Sequence, residues 1–169
     1  MNPQLINFVL FQIGWFSCVL GAANNLTTVG LVVGMFVILV HLIVSQYKLK
    51  ETAILISVTL AGYAWDSLLV KIGVFAYRGT SFLSIAPIWI AVMWAMFATT
   101  LNSSLRWLQR RYLLAILLGA IFGPLAYLSA SKLGAVTALI EPAAWLLQAV
   151  AWGVLMPLMF LISKLIYRK

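Results

Sequence analysis

Acidic residues are nearly missing from this 169-residue chain. Three Asp/Glu stand against eleven Lys/Arg, and charged residues of both signs make up only 8% of it. A soluble domain carries roughly 25%. Water could not solvate so uncharged a surface, so lipid must cover most of it. Cysteine is limited to Cys18, which excludes an intrachain disulfide. Histidine is limited to His41, and no Cys/His/carboxylate spacing forms a metal site. The chain has no phosphate-cradling glycine loop, no nucleophile elbow and no Ser/His or Cys/His pairing that spacing could support, so no cofactor is expected. No basic stretch interleaves with a polar fold, so nucleic acid is not an expected partner. Met1-Asn2-Pro3-Gln4 lacks the basic start of a signal peptide. The first apolar run is therefore expected to be kept as a spanning helix.

What the chain has in abundance is hydrophobic length. Hydrophobic residues make up 64% of it, and the mean hydropathy is +1.09. Crossing ~30 Å of hydrocarbon takes about 20 helical residues. Six runs meet or approach that length: about 5–22, 26–45, 52–72, 85–105, 112–131 and 143–166. None alternates with period two, which excludes a barrel, so each reads as a helix. The expected fold is all-α, a single domain over residues 1–169 built as an integral membrane bundle of six transmembrane helices. Gly21-Ala22-Ala23-Asn24-Asn25 forces the first two into an antiparallel hairpin. Gln46 to Glu51 reads as a polar connector, 73–84 as a loop, and Lys132 to Pro142 as a partly apolar connection. No tandem period is visible, and no motif supports two matching halves.

The cations set the orientation. With a cytoplasmic N-terminus, eight fall on inner segments (Lys48, Lys50, Arg106, Arg110, Arg111, Lys164, Arg168, Lys169) and three on outer ones (Lys71, Arg78, Lys132). This predicts both termini in the cytoplasm.

Asp66 is the one acid that sits inside an apolar run, Gly62-Tyr63-Ala64-Trp65-Asp66-Ser67. A mid-membrane aspartate costs about 2.5–3.5 kcal/mol to insert and needs compensation. Lys71 is five positions on, about 140° round the helix, and is not a same-face partner. Depth selects other neighbours: Trp89, Tyr127 and Gln148, with Trp145, Trp152 and Cys18 near the same level. Asp66, Trp89, Tyr127 and Gln148 form a candidate ligand site. The alternative is an interhelical tie for Asp66, Tyr127 and Gln148, and an interfacial aromatic belt for Trp89 and Trp145. Thr99, Asn102 and Arg106 share one face of the fourth helix and form a candidate headgroup contact, or else Arg106 is only a basic anchor. Glu141-Pro142 reads as an ordinary helix start. Gly30-xxx-Gly34 and Gly119-xxx-Gly123 read as close-packing faces. Pro124 and Pro157 are expected to kink their helices.

Asn7-Phe8, Phe11-Gln12-Ile13-Gly14-Trp15-Phe16 and Cys18 to Ala22 together resemble the start of a family of small multi-pass bacterial inner-membrane proteins of unknown function. Pro87-Ile88-Trp89, Trp94, Phe97 to Asn102, Ser104 to Trp107, and Gly119 to Tyr127 extend the resemblance over most of the chain. It implies a bacterial inner-membrane location, points loosely to envelope and fatty-acid-modifying roles, and transfers no catalytic residue. Length, span number and basic charge are also similar, at the level of fold alone, to the substrate-binding membrane subunits of vitamin transporters.

Three functional readings follow. The first is a non-enzymatic protein that binds or moves a lipid or small apolar molecule. The second is an intramembrane enzyme or enzyme accessory in lipid modification, with Asp66 as proton carrier. The third is a structural accessory subunit with no ligand. The lack of a second well-placed acid or nucleophile favours the first. The expected partners are membrane lipids, with a membrane-protein partner or a second copy of the chain left open.

Overall fold

The computed structural model describes residues 2–79 and 85–168. Thr80 and Ser81 of the expected loop, and Lys169, lie outside them. Helix α1 is Pro3–Ala23, α2 Thr27–Val44, α3 Lys48–Lys71, α4 Ile88–Leu101, α5 Tyr112–Lys132 and α6 Ala143–Arg168. Two three-residue strands, β1 (Phe75–Tyr77) and β2 (Val136–Ala138), pair antiparallel, and a 3-10 turn covers Arg106–Leu108. The fold is all-α apart from this one small strand pair.

Among the described residues, five helices are long and apolar enough to cross a membrane; α4 is not one of them. Its 14 residues reach only about 21 Å, so the expected fourth span over 85–105 is too long. The reason is position. Helix α4 packs against α1, α2, α3 and α6, and Trp89, Trp94, Met96, Ala98 and Leu101 are buried. A helix enclosed by protein need not match the lipid thickness, and irregular backbone at its ends can be satisfied by its neighbours.

Helix α1 starts at Pro3, where a missing N–H costs nothing, and the Asn2 side chain accepts from Gln4 N at 3.0 Å. It turns back through Asn25 at φ 60°, with Leu26 N donating to Gly21 O at 2.7 Å. The α1–α2 approach is set by Gly30. A Cβ there would meet Cys18 Cα and the Ser17 carbonyl, and the Cys18 thiol donates to Gly30 O at 3.3 Å. Gly30→Val is therefore expected to destabilise the protein by about 2–3 kcal/mol, since backbone must move. A fall in the detergent unfolding midpoint measures it, and an unchanged midpoint would count against this packing.

Helix α3 begins four residues earlier than expected, because the polar stretch at its start is ordered. Glu51 is 3% exposed and is held by three donors. Asp66 is thus not alone as an acid sunk in the bundle. Helices α5 and α6 run continuously through Pro124 and Pro157.

The chain also contains a repeat that composition does not reveal. Helices α3 and α5 end alike, Lys71-Ile72-Gly73-Val74 and Lys132-Leu133-Gly134-Ala135, with 61 residues between counterparts. Gly73 (φ 71°) and Gly134 (φ 86°) are both left-handed. Val74 N donates to Leu69 O and Ala135 N to Ala130 O, so both ends are Schellman motifs. The strands that follow pair about Ala76↔Thr137. They are flanked by matching bonds, Arg78 N to Ala135 O at 2.8 Å and Leu139 N to Val74 O at 2.9 Å. The units α3–β1 and α5–β2 are therefore related by an approximate two-fold axis through the strand pair. The sequence shows no tandem period, and the matched helix ends supply the motif that its reading lacked. In the sequence the relation leaves only a short trace, Lys71-x-Gly73 and Lys132-x-Gly134, among apolar residues.

Candidate functional site

The two units meet at Asp66. Counting 61 residues on from Asp66 reaches Tyr127, and from Gly62 reaches Gly123. The Tyr127 hydroxyl donates to Asp66 Oδ1 at 2.7 Å, so the two counterparts bond across the axis. Tyr77 at the end of β1 donates to the same oxygen at 2.7 Å, and Trp94 Nε1 donates to Oδ2 at 2.6 Å. One fully buried carboxyl group thus joins α3, β1, α4 and α5, and three short donors satisfy its oxygens. Burial first, and the adjacent Asp66 second, push the Tyr77 phenol well above its ordinary range, which keeps it a donor.

The glycines bring the aromatic rings to the axis. A Cβ at Gly62 would fall within the Trp94 ring, and one at Gly123 within the Trp152 side chain. Their absence lets Trp94 and Trp152 stack with centroids 5.0 Å apart and planes 11° from parallel. Phe97 lies edge-on to both rings, at 6.0 and 5.3 Å. Gln148, fully buried, accepts from Trp65 Nε1 at 3.2 Å and adjoins the Tyr127 hydroxyl, as does Trp152. Gln148 Nε2 and Trp152 Nε1 themselves reach no partner among the described residues.

A groove of about 1000 Å³ opens beside this cluster. Its floor includes Asp66, Tyr77, Tyr127 and Trp94, and its walls include Phe11, Trp15, Met93 and Phe97. Phe8 and Phe16 of α1 and Phe122 and Leu125 of α5 are exposed at its lips, so it faces outward between those helices. Along α5 it extends from Leu118 to Leu133, roughly 22 Å. Lys132 lines the strand end.

The sequence-derived candidates separate as follows. Tyr127 touches Asp66, and Gln148 lies one residue further out, behind Tyr127. Trp89 lines the groove with Asp66 and Tyr127, packs on Tyr77 ring to ring at 6.1 Å, and donates to Arg78 O at 2.8 Å. It is fully buried, not part of an interfacial belt. Lys71 is exposed, on a different face from Asp66. Thr99, Asn102 and Arg106 sit at the far end of the bundle. Thr99 donates to Met96 O and lines neither the groove nor the cleft at that end. Asn102 is bonded to Glu51, Gln109 and Ser163, and Arg106 lines that cleft.

Sequence reasoning missed Tyr77, which it placed in a loop, and Trp94 as a partner of Asp66. The Lys-x-Gly spacing was the available signal. Aligning Lys71 with Lys132 puts Asp66 opposite Tyr127 and brings the strands together.

Architecture and site define a polytopic helical protein, with a buried carboxylate at the junction of two related units and an apolar groove beside it. The chain belongs to a family of proteins of unknown function (DUF2878), whose model matches residues 4–158. No curated protein and no solved structure matches it.

Proposed function

We propose that this protein is a six-span bacterial inner-membrane protein, with both termini cytoplasmic, that binds or moves a lipid through the groove between α1 and α5. The observation that carries the reading is an aromatic-walled groove of about 1000 Å³ whose floor holds one carboxylate tied by three donors. That volume lies at the top of the range for small-molecule sites. Its length, roughly 22 Å, suits an extended hydrocarbon chain better than a compact solute. The lips face outward, so a lipid could enter sideways without leaving the membrane. Tyr77, Tyr127 and Lys132 lie toward the strand end, where they would meet the polar part of an amphipathic ligand. The site lies where two related units join, the place where membrane carriers built from repeats hold their substrates. Asp66 is the sole carboxylate among the described lining residues, which gives no acid–base pair and favours binding over turnover.

The test blocks the groove without touching the carboxylate. Ala126 is half-buried on the groove wall. Ala126→Trp is expected to reduce the lipid that copurifies with the full chain by tenfold or more, about 1.4 kcal/mol or more of lost binding, with the unfolding midpoint held. Native mass spectrometry reads the bound lipid. Equal lipid retention in the variant and the wild type would overturn the groove as the site.

A further inference from the structure

A second cavity lies at the end of the bundle away from the strands. It is a cleft of about 690 Å³ between α1, α2, the α4–α5 connector and the end of α6. Four cations line it: Arg106, Arg110, Lys164 and Arg168. The chain has three acids. Asp66 lines the groove, and Glu141 sits between β2 and α6 at the strand end. Of the three, Glu51 lines the cleft, and both its oxygens are engaged. Oε1 accepts from Asn102 Nδ2 at 2.9 Å and from the Tyr167 hydroxyl at 2.5 Å, and Oε2 faces His41 Nε2 at 3.0 Å. His41–Glu51 is the one contact of ion-pair geometry among the described residues, and it carries opposite charges only when His41 is protonated.

Four cations therefore share a concave surface with one carboxylate, Glu51, which is already held by Asn102, Tyr167 and His41, so the lining carries an excess of positive charge. The floor beneath them is fixed. Asn102 Oδ1 accepts from Gln109 Nε2 at 2.6 Å and from Ser163 Oγ at 2.8 Å, which ties the connector and α6 to α4. A topology signal needs cations on connectors but needs no hydrogen-bonded cleft. Converging like charges repel, and a bound anion relieves that repulsion. Guanidinium forks match phosphate oxygens in particular.

We propose that this cleft binds a phosphate-bearing anion, gripped by Arg106, Arg110, Lys164 and Arg168. The cleft and the groove lie on different faces of α1. Ile6, Asn7 and Leu10 line the first, and Phe8, Phe11 and Trp15 the second. The inference therefore stands whether or not the groove holds lipid. A phosphate group can arrive on a lipid headgroup or as a free anion, and two experimental arms separate these sources.

In the first arm, native mass spectrometry of the full chain in detergent compares retention of phosphatidylglycerol with that of phosphatidylcholine. In the second, pyrophosphate is titrated into the same sample, with chloride as control. The wild type is expected to favour the anionic lipid, or to bind pyrophosphate. Arg106→Gln with Arg110→Gln should weaken binding about fivefold for each charge removed. Lys164→Gln, an exposed rim position, should show the single-charge loss if the double variant folds poorly. Arg111→Gln should change nothing, because that guanidinium lies 5.7 Å from the Trp107 ring and does not line the cleft. Anionic lipid that pyrophosphate fails to displace identifies a headgroup site, and displacement or direct binding identifies a free-phosphate site. Preference for neither probe, or charge-removed variants that melt normally and bind like the wild type, would overturn the proposal.

Discussion

Asp66→Ala is expected to destabilise the protein by about 3–5 kcal/mol. The change strands the Tyr77 and Tyr127 hydroxyls and Trp94 Nε1, three donors now within 2.6–2.7 Å of the carboxylate. Each buried donor left without a partner costs about 1–3 kcal/mol. The lower end applies here, because interhelical hydrogen bonds in membranes are worth less than their surroundings suggest. Asp66→Asn should cost much less. Its carbonyl can accept from Trp94 while its amide donates to the tyrosine hydroxyls, which can turn to accept. The two substitutions also separate binding from turnover. Asn should keep most lipid retention, whereas a role that requires ionisation would fail. Unfolding midpoints and copurified lipid from the same preparations provide both readings. An Ala variant as stable as the wild type would show that the carboxylate does not tie the units together.

Gly62→Ala and Gly123→Ala form the second prediction, and the approximate two-fold axis makes them a matched pair. In each case the new Cβ falls inside a tryptophan side chain of the helix that follows, Trp94 of α4 or Trp152 of α6. The ring must shift, which costs about 1–3 kcal/mol for overpacking. The shift also loosens the Trp94–Trp152 stack, worth about 0.5–1.5 kcal/mol. Each variant should therefore lose about 2–4 kcal/mol. The losses should not add, because both substitutions act on one stacked pair, and a coupling of at least about 0.5 kcal/mol is expected in the double variant. Gly153→Ala serves as the control. Its nearest atoms would be 3.6 Å from the new Cβ, so the methyl fits, and helix propensity predicts a small gain. Additive losses at Gly62 and Gly123, each below about 0.5 kcal/mol, would contradict the shared stack.

Much of the site was legible one residue at a time and illegible as an arrangement. Asp66 stood out because an acid in an apolar run needs a partner. Helical geometry removed Lys71, and depth along neighbouring helices pointed to Tyr127 and Gln148. Depth could not distinguish Trp89 from Trp94, because both lie on α4 and only azimuth decides which faces α3. Tyr77 was out of reach for another reason. It is brought to Asp66 by a strand whose partner is 59 residues further along at Val136, and no local pattern in Phe75-Ala76-Tyr77 announces a pairing that distant. Glu51 was read as connector because polar neighbours surround it in sequence. Its burial depends on His41, Asn102 and Tyr167, which come from three other helices.

The sequence by itself determined that the chain needs lipid, that its elements are helices, and that Asp66 requires compensation. Each of these follows from local chemistry: the number of charges available to meet water, the length of apolar runs, and the cost of a buried acid. Tertiary structure alone decided that α4 is a short central helix rather than an ordinary span. It alone also decided that two related units meet at Asp66 and Tyr127, and that a groove and a basic cleft open on different faces of α1. These depend on which side of each helix turns inward. In lipid the hydrophobic pattern around a helix carries little of that information, because the outward face is as apolar as the buried one.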